Sequence, residues 1–379
     1  MTDPKILTGD CRAVLPTLEP GSVQCCVTSP PYWGLRDYGT AQWEGGDPEC
    51  DHRRVQDVVS RIASSTLGGG KKTVGEAEEG FRETCGHCGA RRIDAQLGLE
   101  QTPEEYIANM VGVFREVWRV LRDDGTLWLN LGDSYASSGT SGKQEGIDEH
   151  ARNREDGNRL NNGFKNSIRV SGRAPTPAGL KPKDLCMMPA RVALALQADG
   201  WYLRSDIIWH KPNPMPESVT DRPTKAHEYI FLLTKAARYF YDADAIKEPV
   251  DAGNEGATLG FYNNRAKAMG RKVGVKNGNE GQPISEQPIR PDTRNKRSVW
   301  EIATQPYSDA HFATFPEQLP KICILAGSRP GGVVLDPFAG SGTVGQVALE
   351  LGRRAILIEL NPAYIELTQD RTFVTPGFF

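Results

Sequence analysis

Apolar positions along this chain follow two alternating rhythms: short β-branched runs that suit strands, and segments with apolar residues three or four apart that suit helices. Ile6-Leu7 opens the pattern, Cys11 to Leu18 follows as a short helix before the turn at Pro20-Gly21, and Val23 to Thr28 reads as a buried strand. Thr102-Pro103-Glu104-Glu105 offers a cap, a first-turn proline and acids. It opens a helix in which Tyr106, Met110, Val113, Phe114, Val117 and Leu121 recur at helical intervals. Asp123-Asp124-Gly125 predicts a turn into the strand Thr126 to Leu131. Leu185 to Ala198 reads as a helix with Ala190, Leu194 and Ala198 on one face, and apolar strands follow at Trp201 to Lys211, stopped by Pro212, and at Ile230 to Leu233. Strand character returns at Ser298 to Ile302, before a helix at Leu319 to Ala326. The last unit is Val333-Val334-Leu335 ending at Asp336, a glycine loop, a periodic segment from Val344, and the strand Arg354 to Ile358 ending at Glu359. Strands alternating with helices predict an α/β sheet that takes its ligand at the carboxyl ends of the strands.

Three stretches break the rhythm: Gly34 to Lys72, Ser137 to Gly172, and Asp251 to Arg297. The second is rich in Gly, Ser, Asn and Arg, and reads either as a solvated linker or as a loop whose Arg152, Arg154, Arg159, Lys165, Arg169 and Arg173 meet phosphates. The third carries nine Lys or Arg against five Asp or Glu, including Arg265, Lys267, Arg271 and Lys272. It is either a basic solvated face or a segment that tracks a nucleic-acid backbone.

The 379 residues allow one large α/β domain with a smaller lobe, or two domains. No run of 18 apolar residues occurs, and MTDPKILTGDC lacks the basic and apolar regions of a signal peptide, so a soluble cytoplasmic protein without a membrane partner is expected. The eight cysteines are unevenly spaced. Cys25 and Cys26, adjacent within a strand, fit small buried hydrophobes in a reducing compartment better than a disulfide scaffold. A net charge of −3 gives no nucleic-acid signature for the whole chain, so any such surface must be local.

The candidate chemistry lies at strand ends. Gly340 and Gly342 permit positive φ or close approach of backbone to a ligand. The run has no GK[ST] for a phosphate loop and only partly fits GxGxxG. Glu359, at the end of the second strand, stands where a ribose diol is held, the bland reading being a glycine turn with an exposed Glu. After Thr28, Ser29-Pro30-Pro31-Tyr32-Trp33 must leave its strand, because two prolines cannot donate to a ladder. Their rigidity holds carbonyl oxygens towards an incoming group at little ordering cost. Cys50 and His52 form a CxH pair, and Cys85 and Cys88 a CxxC pair, with His87 a competing ligand. Such spacing suits a structural zinc ion that would pin an inserted loop near the catalytic face; the other reading is reduced surface cysteines.

The motif DPFAGSGTVG, followed by IELNPAYIELTQDR, resembles the cofactor half of amino-methylating DNA methyltransferases, and TSPPYW resembles their catalytic tetrapeptide. Catalytic half first and cofactor half last is the permuted order of the beta class. The resemblance implies a Rossmann-like methyltransferase fold dependent on S-adenosyl-L-methionine (AdoMet), circularly permuted, with inserted DNA-facing segments. Residues 1–250 would form the catalytic part, with inserts at 40–98 and 137–175; 251–297 would recognise the target; 298–379 would bind AdoMet within the same domain. Cofactor contacts are implied at Asp10, Phe312, Ala313, Thr314, Phe315, Asp336, Pro337, Phe338, Ala339, Gly340, Ser341, Gly342, Thr343 and Glu359, although Asp10 equally suits a helix cap. Ser29, Pro30, Pro31 and Tyr32 would be catalytic, and Trp33, Asp133 and Ser134 would border the target base. Lys211 and Asn213, in a segment resembling the family's WxLRxxIIWxKPN, would contact DNA. SPPY is commoner in cytosine-N4 than in adenine-N6 enzymes, so the implied activity is site-specific cytosine-N4 methylation of double-stranded DNA by base flipping, alongside a cognate restriction endonuclease. Adenine-N6 methylation, methylation of RNA or protein, and a non-catalytic DNA-binding module on the same scaffold are the alternatives.

Overall fold

The computed structural model describes residues 3–34, 40–50, 84–136, 179–250, 293–305 and 316–372. In chain order the first elements are β1 (Lys5–Thr8), α1 (Cys11–Val14), β2 (Val23–Thr28), β3 (Gln42–Glu44), β4 (Arg91–Ile93), α2 (Pro103–Val120) and β5 (Leu121–Leu131). Next come α3 (Met188–Ala198), β6 (Tyr202–His210), β7 (His227–Thr234), β8 (Glu248–Pro249), β9 (Thr293–Arg294) and β10 (Val299–Glu301). The chain continues with α4 (Gln318–Gly327), β11 (Val333–Asp336), α5 (Thr343–Glu350), β12 (Arg354–Glu359) and α6 (Pro362–Thr372).

Eight of these strands build one sheet in the order β1-β12-β11-β2-β5-β7-β6-β10. Pairing is parallel throughout except for β7, which runs antiparallel to both β5 and β6. β1, from the start of the chain, pairs with β12 from its end, Thr8 opposite Glu359, so the sheet is continuous across a permuted chain. Strand order departs in opposite directions from the β11–β2 pair, which makes the crevice between their carboxyl ends the topological switch point where α/β sheets bind ligands.

Alternation along the strands divides the core. Cys26, Leu127, Leu129 and Leu335 face α2 and α3, whereas Cys25, Trp128, Val334 and Leu357 face α4 and α5. The two neighbouring cysteines are therefore fully buried on opposite faces. Burial pushes the Cys25 thiol up to about 12 and Cys26 well above its ordinary value, so neither is a ready thiolate.

The expected helix from Thr102 forms with a complete capping box: Thr102 Oγ1 accepts from the Glu105 amide at 3.2 Å, and the Thr102 amide donates to Glu105 Oε2 at 3.3 Å. Two expectations are corrected. Asp123-Asp124-Gly125 does not separate helix from strand but lies within β5 as a bulge, the register jumping from Val23 opposite Leu121 to Cys25 opposite Thr126. α3 starts at Met188, because Met187 takes a left-handed φ of 54° and Leu185 bridges to Tyr135. Its buried face is Val192, Ala193 and Leu196; Leu194 is 60% exposed, since the partner elements fall on the other side of the helix. β3 and β4 form a separate two-stranded hairpin from the described ends of the first insert. The arginine-rich loop from Ser137 and nearly all of the basic stretch after Asp251 lie outside the described residues.

Candidate active site

At the end of β11 the chain folds its glycine loop around two buried acids. Asp336 Oδ1 accepts from the Phe338 amide at 3.0 Å and from Thr28 Oγ1 of β2 at 2.6 Å, a bond across the switch-point crevice. Glu359 Oε2 accepts from the Gly340 amide at 2.7 Å and Oε1 from the Asn361 amide at 2.8 Å. Gly340 and Gly342 take φ of +54° and +81°, and a Cβ on Gly342 would sit 2.9 Å from Thr368 Cγ2. Burial pushes the Asp336 carboxyl up to about 7, with the Thr28 and Phe338 bonds only partly opposing it. Burial also raises Glu359, against the pull of the Asn361, Gly340 and Leu360 amides. Two desolvated carboxyls beside a glycine loop suit a ligand with a diol and positive charge, which are features of AdoMet. Ser341 and Thr343 are buried in the loop, and Ser341 Oγ accepts from Arg371 at 3.1 Å. Asp10 follows β1 at the same sheet edge and caps α1, its Oδ1 accepting from the Arg12 amide at 2.9 Å while Oδ2 pairs with the Arg12 guanidinium.

On the other side of the crevice, Ser29 leaves β2 beside the apolar strand β5. Ser29 Oγ donates to Asn130 Oδ1 at 3.2 Å and lies 3.3 Å from Tyr32 Oη. Tyr32 Oη reaches Asn130 Oδ1 at 3.1 Å and Glu228 Oε2 at 2.8 Å. Asn130 Nδ2 donates to Glu228 Oε2 at 3.2 Å and to the Tyr229 carbonyl at 3.1 Å. Glu228 reaches this edge because β7 is antiparallel, so its first residues lie beside the last of β5. The Tyr32 ring covers Gly132, where a Cβ would collide with it. The Pro31 carbonyl accepts from Tyr106 Oη at 2.9 Å, and Trp33 Nε1 donates to the Glu100 carbonyl at 2.9 Å.

Other expected site residues have structural partners. Asp133 Oδ1 accepts from the Ser134 and Met188 amides, which caps α3 from a distance, and the Ser134 carbonyl accepts from the Cys186 amide. Lys211 ion-pairs with Glu228 and stacks over Trp209, and Asn213 exchanges two hydrogen bonds with the Thr304 backbone. Phe312, Ala313, Thr314, Phe315, Arg265, Lys267, Arg271, Lys272 and His52 lie outside the described residues. Cys50, Cys85 and Cys88 converge, each Sγ within 4.8 Å of the others, without His87 in the group. Sequence reasoning missed Asn130 as a site residue; its signal was a lone amide in the run Leu127 to Leu131. It also missed Lys225, whose ammonium is buried without a hydrogen-bond partner among the described residues and whose pKa burial lowers.

An α/β sheet with a glycine loop and buried acids at its switch point, facing a rigid Ser-Pro-Pro-Tyr turn, suits a transferase that brings a nucleoside-type donor to a polar acceptor. Residues 23–370 match the N6/N4 family described as DNA methylase, and the chain belongs to that family. The Type II methyltransferase M.SmaI of Serratia marcescens is 41% identical, covering 97% of this chain and 90% of its own. M.Cfr9I of Citrobacter freundii is 39% identical, covering 97% and 86%. In fold, the chain is similar to the PvuII DNA methyltransferase (cytosine-N4-specific), with a TM-score of 0.52 at 16% identity over 100% of this chain and 91% of that one. The protein is thus a site-specific, AdoMet-dependent DNA amino-methyltransferase. No helix among the described residues is long and apolar enough to cross a membrane.

Proposed function

We propose that the protein methylates the exocyclic N4 amine of cytosine at a specific site in double-stranded DNA. The observation that carries this reading is the Ser29–Asn130–Tyr32–Glu228 network at the end of β2, joined to the cofactor loop by the Thr28–Asp336 bond. A conjugated amine is a poor nucleophile. Ser29 Oγ and the Pro30 carbonyl can accept its two hydrogens, orient its lone pair and stabilise the positive charge that develops on nitrogen. Pro31 stiffens the turn. AdoMet, when bound, supplies an electrophilic methyl group. Asp336 to Thr343, with Pro337, Phe338, Ala339 and Ser341 between, would hold it together with Glu359, Asp10 and the segment Phe312 to Phe315.

The target base must leave the duplex to reach this edge, at a cost of a few kcal/mol that the pocket offsets. Tyr32 and Trp33 would wall the pocket, Asp133 and Ser134 its rim, and Lys211, Asn213 and the basic residues Arg265, Lys267, Arg271 and Lys272 the DNA side. The Type II names of its relatives support action beside a cognate restriction endonuclease. The Cys50, Cys85 and Cys88 cluster enters this reading as a structural zinc site apart from methyl transfer.

Digestion of methylated duplex DNA to nucleosides, followed by chromatography and mass spectrometry, tests the proposal. N4-methylcytosine is the expected product. N6-methyladenine would leave the network in place and overturn Ser29 as the guide to the base.

A further inference from the structure

We propose that Cys50, Cys85 and Cys88 bind zinc as thiolates, and that this ion sets the position of the Pro31–Gly34 turn by folding the β3–β4 hairpin beneath it. The proposal deepens the structural-zinc reading and does not depend on which base is methylated.

One pair of thiols has a metal's spacing, and all three sulfurs lie within 4.8 Å of one another. Cys50 and Cys85 Sγ are 3.9 Å apart. A tetrahedral zinc with bonds of about 2.3 Å puts two sulfurs about 3.8 Å apart, whereas a disulfide needs about 2.05 Å. The backbone converges on the same point from two turns. In one, the Gly89 amide donates to the Cys85 carbonyl at 2.9 Å and the Cys85 amide to the Ala90 carbonyl at 2.7 Å, a closed loop around CxxC. In the other, the Cys50 amide donates to the Asp47 carbonyl at 3.0 Å, and Gly46 approaches so closely that a Cβ there would lie 2.8 Å from Cys88 Sγ. Cys85 is buried. The fourth corner falls to a donor beyond these three thiols.

The hairpin is small, its flanks tied among the described residues by Thr40 Oγ1 donating to Asp94 Oδ1 at 2.7 Å. β3 and β4 are three residues each, and only the middle position of each is even half-buried. A two-stranded hairpin of that size is marginal in water, and small units without a core rely on metals or cross-links. Yet the chain leaving it supports the catalytic turn. Arg92 pairs with Asp94 at 2.9 Å, Arg12 donates to the Ala95 carbonyl at 2.9 Å, the Gly98 carbonyl accepts from the Gly34 amide at 2.8 Å, and the Glu100 carbonyl accepts from Trp33 Nε1 at 2.9 Å. The glycine loop, Asp336 and Glu359 lie on other elements, and the one cofactor candidate linked to this segment, Asp10, keeps its pairing with Arg12 without Ala95, so losing the hairpin leaves the cofactor side largely in place.

The test uses the full-length protein purified in reducing, metal-free buffer. Elemental analysis is expected to find stoichiometric zinc. Replacement by cobalt is expected to give the absorption of tetrahedral thiolate-bound Co(II), lost in Cys85→Ser and Cys88→Ser. Chelated protein is expected to lose about 10–100-fold in DNA methylation, as misplacement of a reacting group does, and to recover on adding zinc. Its AdoMet affinity by calorimetry is expected to hold within about twofold, which separates loss of the turn from global unfolding. Substoichiometric zinc in active protein, or zinc retained by the Cys50→Ser, Cys85→Ser, Cys88→Ser triple variant, would overturn the metal site. Loss of AdoMet binding together with zinc would overturn the hairpin's specific hold on the turn.

Discussion

Asn130 Oδ1 accepts from both Ser29 and Tyr32, while Nδ2 donates to Glu228 and a backbone carbonyl. Asn130→Leu fills a similar volume but removes the acceptor those hydroxyls share and the donor to Glu228 and the Tyr229 carbonyl, at about 1–3 kcal/mol of stability. Methyl transfer should fall about 10–100-fold while AdoMet affinity is kept, which turnover and calorimetry on the same variant check. Asp336 gives a pH signature. Its folded pKa, about 7, lies above the ordinary 3.8, so the folded state holds a proton that the unfolded state has released. Its contribution is fully present below 3.8 and is lost as pH rises through about 7. Asp336→Asn keeps an acceptor for Thr28 and Phe338 without the buried charge. Free of ligand, this variant should therefore unfold at higher urea than the parent at pH 8, with the gap closing near pH 4. It should also bind AdoMet more weakly. These acids are legible in the sequence, because each closes a β-branched run at a turn. The partnership of Asn130 with Glu228 is not: the residues are brought together by an antiparallel strand whose place in the sheet no local period encodes.

The elements are legible where local chemistry decides them. The capping box at Thr102 is one case, and Thr102→Ala should cost about 1 kcal/mol, read as a lower thermal midpoint with unchanged AdoMet affinity. The glycine loop is another. Gly342→Ala must adopt φ of +81° and press on Thr368, so it should destabilise by about 1–3 kcal/mol and weaken AdoMet binding about tenfold or more, a pairing that calorimetry checks. Elements shaped from a distance escape a local reading. α3 loses its first turn because Asp133, far off in sequence, caps it at Met188, and its apolar period points to one face although the sheet lies on the other side. The bulge at Asp123 to Gly125 resembles a helix–strand turn, because only the pairing with β2 reveals it.

At the scale of the molecule, the motifs name the fold, because glycine and proline impose backbone shape wherever they stand. The DNA side is readable only as composition. If Arg265, Lys267, Arg271 and Lys272 each neutralise a phosphate, replacing all four by Ala should flatten the slope of log affinity against log salt by about 3–4. Binding isotherms at several salt concentrations check this, and an unchanged slope would return the segment to solvent. The pairing of β1 with β12 also sets a timetable for synthesis. β1 and one edge of β2 leave the ribosome long before β12 and β11 exist, and at about 5–20 residues per second they wait for tens of seconds with open strand edges. A chain broken off before β11 should accumulate as aggregate instead of as a half-enzyme that binds DNA, and a newly made copy can modify no site until β12 is in hand.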